Sequence, residues 1–571
     1  MPPRPDARPP GGQPISAATA VLIVVSDRAS AGRVAALEDL VAPASGVVTS
    51  WEGGLPNPGG FAAFIVDGPC ATQDRRWLEA LRGRVEGGAN LLVLGPAPAN
   101  AAAEWQDLAP RPGGPVVPGE VFAKVADERH PLVTRLTAEF PLDDHFVPLQ
   151  PRDGAAVPLT VSVGYQDRDA VQIWSVGSGT VTAAGIGLSD TAVAHPELRR
   201  ALRRALHLGA RPAAERESLG VGVVGYGPFG GMGYYHGMAC RSTAGLELVA
   251  VCDNSSERRK AAEEEFPGIR TYSSPDEMAG DDDLDVAVIA TPPTLHAAVA
   301  MTFLRAGRHV ACEKPLCMTV EDADRLLAAA AATDVCLTVN QNRRWDPDYV
   351  TVRRTVDSGA LGSLFNVETF VGGYEHPCRA WHSDRTVSGG TAYDWGSHHV
   401  DWILQLLGSS PAAVQTFGHK RVWHDVTNLD QIRVRMWWDD GREAEFVQSD
   451  VAAVRRPKFY VQGTTGTLVG HYRPLVFEQV VPPHGFVSTT AHHAEAPVEL
   501  TLARYESGYG VSETRLPPAP AQPFAFHRNL ADHLLLGEPL AVTVDSVRSV
   551  IAVLEAAQRS ADDSGAVVTL G

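Results

Sequence analysis

Short, unbroken apolar runs punctuate the start of the chain at Ala20–Val25, Phe61–Val66 and Asn90–Leu94, with a helically spaced stretch, Asp74–Val85, between the last two. Runs of this kind suit strands covered on both faces, so they predict a parallel α/β sheet. A further strand pair, Val171–Ser175 and Gly179–Ile186, flanks a Gly-Ser turn, and a helix is predicted over Pro196–Leu208. From Leu219 the order strand, Gly-rich turn, helix, strand recurs, with strands expected at Val221–Val224, Leu246–Cys252, Val286–Ala290, His309–Cys312 and Cys336–Asn340. That is the pattern of a doubly wound, dinucleotide-type unit. Beyond Gly362 the pattern changes to alternating strands at Leu364–Phe370, Gln431–Trp437 and Glu443–Ser449, with turns at Asp439-Asp440-Gly441 and Gly463–Gly466. Alternation with short turns predicts a mostly antiparallel sheet. A final helix is expected over Ser546–Ser560, capped by Asp545.

A chain of 571 residues is too long for one hydrophobic core. The expected division is a disordered Pro/Gly-rich leader (1–19), a first α/β domain (20–209), a polar linker (210–218), a Rossmann domain (219–345) and an α+β domain with a large sheet (346–571). With 67 acidic against 49 basic residues the net charge is −18, which argues against nucleic-acid and membrane-surface partners. There is no apolar run long enough to span a bilayer and no signal-type h-region, so a cytoplasmic protein is expected. The seven cysteines show no C-x-x-C spacing, so neither a metal site nor a disulfide framework is expected.

Candidate chemistry starts at Gly225-Tyr226-Gly227-Pro228-Phe229-Gly230, a G-x-G-x-x-G placed after a strand and before a helix. Glycines there allow a tight turn and close backbone approach to a diphosphate, with free N–H groups at a helix N-terminus. Asp253 ends the next strand, where a carboxylate accepts from the ribose hydroxyls of NAD. The same Asp253 also reads as a cap for the following helix, and Asn254, Ser255 and Arg258 offer a cradle for the 2′-phosphate of NADP. NAD is the expected cofactor, with NADP left open. Glu313-Lys314-Pro315 ends the fourth strand, the end at which open α/β sheets bind ligands. On a continuous helix Asp394, His398 and Asp401 share one face, and a carboxylate beside an imidazole suits proton transfer near neutral pH.

Taken in order, Gly225–Gly230, Glu313-Lys314-Pro315, Asn342-Arg343-Arg344-Trp345-Asp346 and Asp394–Asp401 resemble the Gfo/Idh/MocA family of sugar and cyclitol dehydrogenases, most closely its scyllo-inositol dehydrogenase-like branch. The resemblance implies a dehydrogenase or reductase acting on CH–OH groups of a sugar, cyclitol or glycoside, and it implies a homo-oligomer. It also adds Thr291, Pro292, His296, Glu313 and Lys314 to the cofactor contacts. In the roles it implies, His398 is the general base, Lys314 stabilises the developing alkoxide and Asp394 orients Lys314. Arg343, Trp345, Tyr374, Trp381 and His382 become candidate substrate contacts, with core or edge packing as the competing reading. Glycoside cleavage through transient oxidation and elimination, and a silent sugar or nucleotide sensor, are the competing functions.

In the first domain, His130-Pro131, Asp143-Asp144, Gly177-Ser178-Gly179 and His195-Pro196 resemble the flavodoxin-like, ThuA-like branch of the class I glutamine amidotransferase fold. An amidotransferase needs a Cys nucleophile at a strand-to-helix elbow. After Leu91–Leu94 the chain reads Gly95-Pro96-Ala97-Pro98 instead, Cys70 follows the preceding strand, and Gly187-Leu188 stands where the branch often carries Gly-His. A non-catalytic domain that binds carbohydrate or supports assembly is expected.

Overall fold

A computed structural model describes residues 20–570 apart from 27–28, 42–43, 52–54, 69–74, 98–104, 106, 128–129, 134–135, 137, 207–217, 228–230, 379, 482–484, 492–497 and 520. The expected leader, most of the linker, and Cys70 lie outside the described residues. The chain forms two compact units, Met1–Glu215 with Leu535–Glu538, and Arg216–Leu534 with Pro539–Gly571.

The N-terminal unit is built on a nine-stranded sheet. Ser45–Ser50, Ala20–Val25, Ala63–Asp67, Asn90–Leu94 and Gly179–Ala184 pair in parallel. Gln166–Val176, Ala156–Val163, Glu120–Val125 and Glu139–Asp143 extend the sheet antiparallel. Val21, Ile23 and Val25 enter one core while Leu22 and Val24 enter the other, which is why the first strand carries no polar position. The expected pair Val171–Ser175 and Gly179–Ile186 falls on the hairpin Gln166–Val176 and Gly179–Ala184, whereas the strand Ser45–Ser50 and the strands Ala156–Val163, Glu120–Val125 and Glu139–Asp143 are absent from the sequence-based expectation. Their runs mix polar and apolar residues, as in Glu120–Val125, whose side chains alternate exposed and buried. At the C-terminal ends of the parallel strands, Arg33 forms a two-pronged pair with Asp67 (2.9 and 2.6 Å) and donates to the carbonyls of Gly187 and Ser189. Asp144 accepts the N–H groups of Gly187, Leu188 and Ser189, which fixes that turn.

In the second unit, six parallel strands run in the order Arg270–Tyr272, Leu246–Cys252, Leu219–Val224, Val286–Ile289, His309–Cys312, Leu337–Val339. The order reverses between Leu219–Val224 and Val286–Ile289, and the crevice beyond those strand ends is where such sheets bind ligands. Nine strands make the second sheet, antiparallel throughout except for the pair Leu364–Gly372 and Glu443–Ser449. Its apolar face packs under the helices Gly396–Leu407 and Val544–Asp562, with Val400, Ile403, Leu554, Phe446 and Val434 in one cluster. Other side chains of the sheet form a charge ladder: Glu445 pairs with Arg435 (3.2 Å) and Arg456 (2.9 Å), and Arg456 with Glu368 (2.7 Å). Alternating buried and charged positions account for the legible period of two. Within the core, Lys458 and Asp348 form a fully buried ion pair of 2.8 Å.

Two local expectations are corrected. The last helix spans Val544–Asp562, and its cap is Thr543, whose side chain accepts from the Ser546 N–H, so Asp545 sits inside the first turn. The helix expected to carry Asp394, His398 and Asp401 is broken at Trp395 into Thr391–Asp394 and Gly396–Leu407. Among the described residues no helix is long and apolar enough to cross a membrane, and no cluster of His, Cys, Asp or Glu is arranged to hold a metal ion.

Candidate active site

A cleft of about 1220 Å³ runs from the Gly-rich turn, past the ends of the Rossmann strands, to the helices that carry Asp394 and His398. At its head Gly225 adopts φ +88°, and a side chain there would stand 2.8 Å from the Ala290 backbone. Only glycine fits that approach. Gly227, also at positive φ, has open space where a side chain would be, so its backbone faces the cleft uncovered. The helix Met232–Ser242 packs tightly on the turn, because a Cβ on Gly233 would come within 2.4 Å of the Tyr226 carbonyl oxygen. Asp253 accepts from Gly227 N (3.0 Å) and Ser255 N (2.8 Å), and Ser255 rather than Asp253 caps the following helix. Buried Thr291 Oγ1 has no hydrogen-bond partner among the described residues. An uncovered turn at a helix start, a carboxylate on the next strand and a spare hydroxyl fit a dinucleotide.

Of the sequence-selected cofactor contacts, Gly225, Gly227, Asp253, Arg258, Thr291, Pro292, His296, Glu313 and Lys314 all line this cleft, whereas Pro228, Phe229 and Gly230 lie outside the described residues. His296 is held by backbone at both ring nitrogens, facing Pro315 O (2.6 Å) and Thr291 O (2.7 Å). Burial pulls its pKa below the ordinary imidazole value, while the two carbonyls oppose that shift. Its geometry braces the Lys314-Pro315 turn.

Deeper in the cleft, Lys314 Nζ lies 2.8 Å from Asp394 Oδ1 and also donates to the Asp394 carbonyl (3.3 Å). Burial would raise the Asp394 carboxyl, but the Lys314 ammonium beside it holds it below the usual carboxylate range. His398 is buried, and its pKa is pushed well below the usual imidazole range by desolvation and by the charges of Lys314 and Arg343. Its Nδ1 lies 3.1 Å from Gln341 Oε1, while Gln341 Nε2 donates to Ser397 O (2.9 Å). That second bond fixes the Gln341 amide with its oxygen toward the ring. His398 Nδ1 is therefore the donor, and Nε2 keeps a lone pair. Sequence reasoning missed Gln341, a residue whose only cue was its place between a strand end and the Asn342–Trp345 turn.

Arg343 lines the cleft with its guanidinium 4.8 Å over the Trp395 ring. Trp381 and His382 line it too, with their rings stacked at 3.7 Å. Trp345 is not among the lining residues, and Tyr374 is exposed and sits edge-on to Trp423. Asp401 does not line the cleft and is held in a two-pronged pair with Arg344 (2.8 and 2.6 Å).

Comparison with known proteins agrees with this geometry. Residues 219–341 match the family described as "Oxidoreductase family, NAD-binding Rossmann fold", and residues 349–469 match the "GFO/IDH/MocA C-terminal domain". The scyllo-inositol 2-dehydrogenase (NADP(+)) of Bacillus subtilis is 24% identical over 357 residues, 62% of this chain and 96% of that protein. The 1,5-anhydro-D-fructose reductase of Ensifer adhaerens is 28% identical over 335 residues, 58% of this chain and 94% of that protein. A solved NAD-binding protein from Listeria innocua is 27% identical with a TM-score of 0.52, covering 62% of this chain and 97% of that one. Residues 219–341 and 349–469 thus carry, in order, the NAD-binding and C-terminal domains of Gfo/Idh/MocA oxidoreductases, as expected of a nicotinamide-dependent dehydrogenase.

Proposed function

We propose that the C-terminal unit moves a hydride between a nicotinamide ring and a secondary alcohol or ketone carbon of a sugar or cyclitol. The observation that carries this reading is the 2.8 Å Lys314–Asp394 pair in one cleft with a neutral His398. The relatives named for scyllo-inositol and anhydrofructose support the substrate class. When bound, the nicotinamide supplies the hydride acceptor or donor. His398 Nε2 accepts the hydroxyl proton on oxidation and returns it on reduction. Lys314 Nζ faces the developing alkoxide with its charge, which counts for more in a water-poor cleft. Asp394 fixes the direction of Nζ. Trp381 and Arg343 offer a flat face and a polar fork to a polyol. NAD is the proposed cofactor, because the Asp253 carboxylate at the end of the second strand suits a ribose diol and opposes a 2′-phosphate.

The test is absorbance of the reduced nicotinamide with NAD or NADP across inositols, free sugars and glycosides. Reduction with a polyol is expected, and Lys314→Ala and His398→Ala are expected to lower turnover by roughly 10²–10⁴ while cofactor binding persists. Unchanged turnover in both variants would dismantle the mechanism, and glycoside cleavage without net reduced cofactor would move the assignment to redox-assisted elimination. For the N-terminal unit we infer a binding or assembly role, since Gly95-Pro96-Ala97-Pro98 offers no nucleophile. Glutamine-dependent ammonia release by the full chain would overturn it.

A further inference from the structure

We propose that His236 and His527 are positioning residues that hold Glu313 as a carboxylate against the Lys314 turn, with His527 selecting the tautomer of His236. The inference rests on the reading in which Lys314 acts at the reacting carbon. Glu313 Oε1 lies 3.0 Å from His236 Nε2 and accepts from Asn340 Nδ2 (2.7 Å), while Oε2 accepts the backbone N–H of Lys314 (3.1 Å). His236 Nδ1 in turn lies 2.9 Å from His527 Nε2. Both rings are buried, His236 at 0% and His527 at 1% exposure.

The bonding sense follows from one end. A carboxylate only accepts, so His236 Nε2 carries a hydrogen, and in the proposed single-hydrogen form of that ring its Nδ1 presents a lone pair. His527 must then donate from Nε2. Consistently, His527 Nδ1 has no hydrogen-bond partner among the described residues, and the ring is enclosed by Tyr235, Phe524 and Phe526. A hydrogen on that nitrogen would be buried without an acceptor.

The chain of donors links distant parts of the unit. His236 lies on the helix that follows the Gly-rich turn, Asn340 follows the last Rossmann strand, and His527 lies on the helix Ala525–Leu536. The catalytic lysine's turn is thereby tied to the cofactor cradle. Other titratable groups facing Glu313 are Lys314 itself, Cys312 at the strand end, His296 from the helix Pro293–Arg305 and Tyr235 beside His236. Desolvation opposes the charge on Glu313, yet the His236 and Asn340 donors and the Lys314 charge keep its carboxyl below the ordinary range. Desolvation keeps His527 well below the imidazole range, so it carries a single hydrogen. If His527 could not donate, His236 would be free to place its hydrogen on Nδ1 and turn a lone pair toward Glu313, which favours a protonated carboxyl.

The test compares His527→Leu, which fills space without a donor, with His527→Gln, whose amide N–H can replace that of the ring, in the full chain. The first readout needs no turnover: ¹⁵N shifts of labelled histidines are expected to show the Nε2–H form of His236 in the parent and in H527Q, and a mixture of tautomers in H527L. The second is the pH profile of kcat. A raised Glu313 removes activity as pH falls, so H527L is expected to lose activity on the acid side about one unit higher than the parent, the equivalent of one hydrogen bond, and H527Q to follow the parent. An unmoved His236 tautomer in H527L, or equal impairment of H527L and H527Q, overturns the proposal. A tautomer shift in a protein that reduces no cofactor with any polyol supports the positioning role and removes the catalytic reading beneath it.

Discussion

His399 offers a stringent check on the electrostatics of the catalytic helix. It follows His398 directly, but points into the core between Trp402 (4.7 Å between rings), Phe446 (5.0 Å) and Trp395 (6.2 Å). Both of its ring nitrogens are buried with no hydrogen-bond partner among the described residues. Desolvation first, then the charges of Lys458 and Arg343, push its pKa well below the ordinary imidazole range. Replacing it by leucine, of similar volume, removes an unsatisfied polar group whose burial costs about 1–3 kcal/mol. The variant is therefore expected to be more stable at pH 7.5 by that order. The gap should also widen in acid. A base whose folded pKa is depressed binds its proton only on unfolding, so its stabilising neutrality is intact above the unfolded value near 6.5 and is lost as pH falls below it. The slope is about 1.4 kcal/mol per pH unit, so at pH 5.5 the advantage of His399→Leu should exceed that at pH 7.5 by about 1.4 kcal/mol. Urea unfolding read by amide exchange in peptides of the helix Gly396–Leu407 reports this unit separately from the N-terminal one. An equal advantage at both pH values, or a loss of stability at pH 7.5, would refute the reasoning.

Three further outcomes follow from single contacts. Lys458→Met leaves Asp348 buried without its cationic partner, with the N–H groups of Tyr349 and Val498 as the remaining donors among the described residues, and should cost about 3–5 kcal/mol in urea unfolding of the C-terminal unit. Gln341→Leu removes the acceptor that selects the His398 tautomer and should lower kcat roughly ten-fold with KM little changed, measured in steady-state assays with the best polyol. Asp253→Ser frees the Gly227 N–H and removes the charge that opposes a 2′-phosphate, so the ratio of NAD to NADP affinity should fall by roughly ten-fold in a cofactor-fluorescence titration.

The sequence was most readable where one physical constraint acts at a time. Strands covered on both faces, such as His309–Cys312, and strands with one charged face, such as Gln431–Trp437 and Glu443–Ser449, were predicted at their observed bounds because burial alone sets their pattern. The strand Ser45–Ser50 was missed since its polar ends mask the short apolar centre. At the site, Lys314, Asp394 and His398 stood out by motif order, and the cleft brings all three to its lining. Helical spacing grouped Asp401 with Asp394 and His398, but it could not show that Arg344, 57 residues earlier in the chain, holds the Asp401 carboxylate. His398 and His399 are indistinguishable by composition. Only which side of the helix Gly396–Leu407 meets the sheet decides that one faces the cleft and its neighbour the aromatic core.

The residues that sequence left silent share a physical role. Gln341, Asn340, His236 and His527 form no local motif, yet each takes part in a hydrogen bond that orients a neighbouring side chain at or beside the cleft. A cleft that must hold an ammonium, two carboxylates and a neutral imidazole within one low-dielectric volume cannot rely on charge alone, because each charge displaces the titration of the next. Neutral amides and tautomer-fixed histidines resolve this, since they orient without adding charge. Their partners come from distant sequence: 291 residues separate His236 from His527, and 57 separate Gln341 from His398. Orientation is thus written in tertiary structure, while the identity of the charged groups is written in local sequence. This is why the reaction class was legible before the fold and the arrangement that selects its protonation states was not.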